Sequence, residues 1–125
     1  MARILMKGNE AIAEAALRAG VEAFFGYPIT PQNEVPEYLS REMPKRGAIY
    51  LQSESELSGA NMILGASAAG ARVMTSTSGP GLCLMLEAMS SMALTRLPAV
   101  FVDVVRSGPG MGDLAPAQED WKVSG

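Results

Sequence analysis

Four short apolar runs constrain this chain more than any other feature: "VEAFFGY" (21–27), "GAIYLQ" (47–52), "ARVMTSTS" (71–78) and "PAVFVDVV" (98–105). Each is too short for a packed helix, and each runs directly into Gly, Pro, Ser or Thr, so each reads as a buried strand. The stretches between them read as helices. In "GNEAIAEAALRAG" (8–20), Ile12, Ala15, Ala16 and Ala19 fall at helical spacing and Gly20 is a natural stop. The stretch 28–44 starts in turn chemistry, with Thr30 as a cap and Pro31 at the first helical position, although Pro36 then falls inside the first turns. Residues 55–69 form a helix of small side chains, and "GPG" (79–81) is a sharp turn into a helix over 82–94. The order α-β-α-β-α-β-α-β, ending in a Gly/Pro-rich loop (106–120), requires βαβ units with right-handed crossovers. The expected fold is therefore α/β, a parallel sheet in a three-layer αβα arrangement, with residues 1–125 in one domain. The fourth run is almost unbroken, the pattern of a strand covered on both faces. The final "WKVSG" reads as loop straight after a strand, which predicts a domain incomplete at its C-terminus.

Composition removes several function classes. A net charge of −3 and the lack of any Lys/Arg cluster argue against nucleic acid as a partner. One cysteine, Cys83, and no histidine leave no disulfide within the chain and no Cys/His set for zinc or an iron–sulfur cluster. No apolar run approaches the ~18 residues of a membrane span, and "MARILMKGNE" is too soon charged for a signal peptide. The expectation is a cytoplasmic protein with no membrane partner.

Ligands of open parallel sheets bind at the carboxyl ends of the strands. Here those ends carry "GYPITP", "QSESE", "TSTSGPG" and "RSGPGMG", and their ionisable residues are Glu54, Glu56 and Arg106. Each has an ordinary structural reading as well. Ser53-x-x-Glu56 matches a capping box, Thr30 can be only an N-cap, and Arg106 only a solvated residue after a strand. "TSGPG" has no Lys and is no phosphate-binding P-loop. Glu54 and Glu56, two apart, would diverge on one helix and do not form a carboxylate pair. Cys83 and the methionines at 74, 85, 89 and 92 occupy apolar positions and are expected in the core.

With these loops in this order, the chain resembles the α-subunit, or pyrimidine-binding domain, of 2-oxoacid:ferredoxin oxidoreductases. The matching runs are "GNEAIAEAALRAG", "FFGYPITPQNE", "SESELSGANMILGASAAGARVMTSTSGPGLCLM" and "LPAVFVDVVRSGPGMG". They look most like the branched-chain (2-oxoisovalerate) members. The resemblance implies thiamine diphosphate chemistry, with one glutamate hydrogen-bonded to the aminopyrimidine ring; an ungapped match of "GASAAGA" puts that role on Glu56. It likewise implies substrate contacts from Thr30 and Arg106, and a backbone contribution from Pro28 to the same pocket. A carboxyl on the ring nitrogen favours the tautomer that takes the proton from the thiazolium carbon, and the cofactor then accepts the electrons of decarboxylation. An arginine fork suits the substrate carboxylate, and Thr30, if it opens a helix, would add N–H groups that favour an anion.

No "GDG…N" diphosphate signature is visible. The resemblance therefore implies a β-subunit carrying the diphosphate-binding domain, with thiamine diphosphate and Mg²⁺ shared across the interface. It also implies iron–sulfur clusters on ferredoxin-like γ/δ subunits, with CoA, a 2-oxoacid and ferredoxin as reactants. The small-residue helix 55–69 is the expected interface element. The implied reaction is CoA-dependent oxidative decarboxylation of a branched-chain 2-oxoacid. 2-Oxoglutarate or pyruvate is the alternative substrate, a non-catalytic fragment that keeps the fold is the alternative class, and an acetolactate-synthase-type enzyme is a third reading. One departure stands out: the family continues "P-x-Q-G/A-D" after the arginine loop, and here Glu119 replaces the small residue in "APAQED".

Overall fold

The computed structural model describes residues 3–108 and 110–125. In chain order it contains α1 (Gly8–Arg18), β1 (Ala23–Gly26), α2 (Glu34–Glu42), a 3-10 turn (Pro44–Arg46), β2 (Ile49–Gln52), α3 (Glu56–Ala68), β3 (Val73–Thr77), α4 (Gly79–Thr95), β4 (Val100–Asp103) and α5 (Trp121–Ser124). The strands form one parallel sheet in the order β2-β1-β3-β4. From β1 the chain steps outward to β2, then crosses back over β1 to β3. That reversal makes the carboxyl ends of β1 and β3 the switch point where such sheets hold ligands.

The pleat sorts side chains onto two faces. Phe24, Tyr50, Met74 and Val102 pack with Leu17 of α1 and Val35 and Leu39 of α2. Ala23, Phe25, Val73 and Phe101 pack on the opposite face with Ile63 of α3 and Met92 of α4. Phe24 and its register partner Tyr50 stack with ring centroids 5.7 Å apart. The three αβα layers are those expected. All five residues of β3 are buried, and its last three, Thr75, Ser76 and Thr77, are polar. Polar side chains in the middle strand, at the switch point, are costly unless paired or used.

Several local expectations change. Helix α2 starts at Glu34, with Asn33 in the cap position, so Thr30 and Pro31 precede it and do not open it. Pro36 is its third residue, where a missing N–H costs nothing because first-turn donors have no intrahelical acceptor. Helix α4 starts at Gly79, so "GPG" is its first turn and not a turn before it. The capping box at α3 joins Ser55 and Ser58, each backbone N–H donating to the other's hydroxyl at 3.1 Å; Ser53-x-x-Glu56 is not the box. Strand β4 is an edge strand with Val100 exposed, not a strand covered on both faces: among the described residues nothing pairs beyond it. Cys83 is exposed, because Leu82, Met85, Ala88 and Met92 take the inner face of α4 and leave positions 83, 84 and 87 outside. "WKVSG" contains the short α5. Among the described residues no helix is long and apolar enough to cross a membrane.

Candidate active site

Glu56 is the first residue of α3 and only 8% exposed. Ser53 orients the approach: its hydroxyl donates to the Ser55 carbonyl at 2.8 Å, with the Gly26 carbonyl at 3.1 Å. These contacts tie the α3 entry to the end of β1. The Glu56 side chain then runs over the first turn of α4. A Cβ on Gly81 would collide with the Thr77 hydroxyl and come within 2.7 Å of Glu56 Cγ and 3.0 Å of Oε1. Glycine at 81 is therefore what lets the carboxyl lie between the end of β3 and the start of α4. Among the described residues no donor hydrogen-bonds that carboxyl. Its helix-first-turn position is favourable to an anion by about 0.3–1 kcal/mol, which is the purely structural account of the residue. Glu54, by contrast, is exposed on the preceding bend.

Thr30 and Arg106 meet. The Arg106 guanidinium donates from Nη1 to the Thr30 carbonyl at 3.1 Å and from Nη2 to the Met111 carbonyl at 3.3 Å. No described carboxylate forms an ion pair with Arg106, and its Nε–H is buried without a partner. A cation held only by carbonyls keeps its charge for an incoming anion. Pro28 and Thr30 are both exposed on the same loop. No hydrogen bond joins Glu56 to Thr30 or Arg106, so the predicted residues form two corners at one sheet edge.

The loop bearing Arg106, of which Pro109 lies outside the described residues, is folded on itself. Ser107 N–H donates to the Ala115 carbonyl at 2.8 Å and Asp113 N–H to the Ser107 carbonyl at 3.0 Å. Gly112 has φ +50°, and a Cβ there would strike the Ser107 carbonyl. Glu119, the departure noted in the sequence, accepts from the Gly108 N–H at 3.2 Å and so closes this loop.

Two groupings escaped the sequence reading. Gln32, fully buried, bridges the Tyr27 carbonyl and the Ser76 hydroxyl. Asp103 and the fully buried Asp120 are neighbouring carboxyls; burial, then the adjacent Asp120 carboxyl, pushes Asp103 up from 3.8 to about 7. A lone acid in the apolar run "PAVFVDVV" was the available signal for Asp103. A separate apolar groove of about 360 Å³ between α1 and strands β3–β4, lined by Ile12, Ala16, Val21, Met74 and Val102, shares no residue with either corner.

The fold agrees with what known proteins show. Residues 14–123 match the family described as pyruvate flavodoxin/ferredoxin oxidoreductase, thiamine diphosphate-binding, and the chain belongs to that family. It is 49% identical to the ketoisovalerate oxidoreductase subunit VorB of Methanothermobacter thermautotrophicus, over 97% of this chain and 34% of that protein. It is 44% identical to the 2-oxoglutarate synthase subunit KorA of Archaeoglobus fulgidus, over 93% of this chain and 34% of that protein. The solved 2-oxoglutarate:ferredoxin oxidoreductase from Magnetococcus marinus, with 2-oxoglutarate, coenzyme A and succinyl-CoA bound, superposes with a TM-score of 0.85 at 43% identity, covering 87% of this chain and 19% of that one. The chain spans about a third of the length of the curated relatives it matches.

Proposed function

We propose that residues 1–125 are the N-terminal part of a pyrimidine-binding domain in a thiamine diphosphate-dependent 2-oxoacid:ferredoxin oxidoreductase. The complex would carry out CoA-dependent oxidative decarboxylation of a 2-oxoacid, with 2-oxoisovalerate the first substrate to test. The observation that carries this reading is the Glu56 carboxyl, almost buried at the switch point yet without a hydrogen-bond donor from the described residues. A carboxyl in that state fits a ring nitrogen brought by a cofactor. Thiamine diphosphate, when bound, supplies the electron sink for decarboxylation. Glu56 would hold or share the proton on the aminopyrimidine, and Gly81 would keep the space it needs. Arg106 would take the substrate carboxylate, with Thr30 and the backbone of Pro28 lining the same pocket. Mg²⁺ and the diphosphate would fall to a β-subunit, and electrons would leave through iron–sulfur subunits to ferredoxin.

The substrate has a second reading, because relatives at similar identity are named for 2-oxoisovalerate and for 2-oxoglutarate. A panel of 2-oxoacids on one enzyme preparation decides between them by kcat/KM. The test of the function itself is Glu56→Gln in the assembled complex, assayed anaerobically for CO₂ release with a low-potential acceptor. Turnover should fall roughly 10²–10⁴-fold, the usual cost of losing a general acid–base group, with assembly intact. Full activity would leave Glu56 only its favourable place in the helix first turn.

A further inference from the structure

We propose that Gln32 is a positioning residue for the substrate carboxylate: its buried amide ties the Tyr27–Pro31 loop to β3 and so sets where Thr30 and Arg106 stand. The proposal rests on the assignment of Thr30 and Arg106 to the substrate.

The amide is held at both ends. Nε2 donates to the Tyr27 carbonyl at 3.1 Å, and Oε1 accepts from the Ser76 hydroxyl at 2.5 Å. A carbonyl can only accept, so the amide nitrogen must face Tyr27, and Ser76 must then act as donor. The backbone is fixed as well: Gln32 N–H donates to the Ile29 carbonyl at 3.0 Å, and Val35 N–H donates to the Gln32 carbonyl at 2.9 Å. From the other side, Asn9 of α1 donates to the Pro31 carbonyl at 2.8 Å. The loop is thus clamped between α1 and β3, with Thr30 at its crest. Its remaining tie is the Thr30 carbonyl, which accepts from Arg106 Nη1. A continuous path therefore runs from the central strand through Ser76, Gln32 and the loop to the guanidinium. The bond to Gln32 supplies the reason a hydroxyl, that of Ser76, stands at a fully buried strand position, where Val or Ile would otherwise be preferred.

A staple that only stabilises the loop would lower stability and leave substrate affinity alone. A positioning role moves KM for the 2-oxoacid and spares KM for CoA. Gln32→Met keeps the length and volume of the side chain and removes both hydrogen bonds. In the assembled complex it should raise KM for the 2-oxoacid roughly tenfold, the scale of one misplaced charge-assisted hydrogen bond. Arg106→Ala should raise it at least as far, and the double variant no further than Arg106→Ala alone, because the two act on one interaction. Ser76→Ala removes one bond only and should give a smaller rise in the same direction; it decides the matter if Gln32→Met does not assemble. A 2-oxoacid KM like wild type in the folded Gln32 and Ser76 variants, with Arg106→Ala impaired, overturns the positioning role and leaves the carboxylate site standing. A wild-type KM in Arg106→Ala overturns both.

Discussion

The two corners of the site are built by different means. The Glu56 corner is made where three regular elements converge, the starts of α3 and α4 and the end of β3, and its contacts are steric. Gly81 has no room for a methyl group, and Gly59 of α3 sits so near the end of β2 that a Cβ would come within 2.9 Å of Ser53 Oγ. The Arg106 corner is made of two loops, and its contacts are hydrogen bonds from a guanidinium to carbonyls. Close-packed interiors hold a group to within fractions of an ångström, whereas loops on a scaffold allow adjustment. On the proposed roles, a carboxyl that must meet one ring atom belongs in the first setting, and a receptor for a substrate carboxylate can tolerate the second.

Substitutions can break this contrast. Gly81→Ala should cost about 1–3 kcal/mol of stability, as overpacking does, and should also displace the Glu56 carboxyl, so thermal melting and turnover fall together. Arg106→Ala should do the reverse, lifting KM for the 2-oxoacid about tenfold or more while the melting temperature hardly moves, since its ties are to the carbonyls of exposed loop residues. If Arg106→Ala melts as early as Gly81→Ala, the two corners are not mechanically distinct. Ser55→Ala removes the α3 cap beneath Glu56 and should cost about 1 kcal/mol, read by denaturant midpoint.

The last effect concerns pH. Burial and the neighbouring Asp120 raise Asp103 from 3.8 to about 7 in the folded chain. Between those values the folded state keeps a proton that the unfolded state has released. Stability from this pair is therefore fullest at the acid end and declines as pH rises towards 7, then levels off. Melting temperature followed from pH 5 to pH 8 should show that decline, and Asp103→Asn should flatten it. Because Asp120 immediately precedes α5 and Asp103 ends β4, the pair belongs to the loop corner. An unchanged pH profile in Asp103→Asn would separate it from the stability of that loop.

The parts read correctly from the chain were those set by local pattern. The strands follow from short apolar runs, and their parallel pairing from the helices between them. Thr30 and Arg106, which the family motifs implied, touch in the structure through the Thr30 carbonyl. The misreadings share one cause. Thr30-Pro31 has the local chemistry of a helix start, but the stretch up to Asn33 is taken by the Gln32 bridge to Ser76, and α2 waits until Glu34. Three serines, at 53, 55 and 58, can each cap, and only the anchoring of Ser53 to the Gly26 carbonyl leaves the box to Ser55 and Ser58. Of the small residues of helix 55–69, Gly59, Ala60 and Ser67 face inward, while Gly65 and Ala68 are exposed, a division that the run of small residues does not itself reveal.

By itself, then, the sequence determined the alternation of elements, the parallel sheet and the chemistry available at its carboxyl edge, because periodicity and turn residues act over a few positions. Only the tertiary structure decided which serine caps, that Glu56 lies against Gly81, that Gln32 spans 44 residues to reach Ser76, and that Asp103 meets Asp120. Those are pairings between distant segments. Their energies depend on where the sheet order and the helix packing bring the backbone, which no local run of residues encodes.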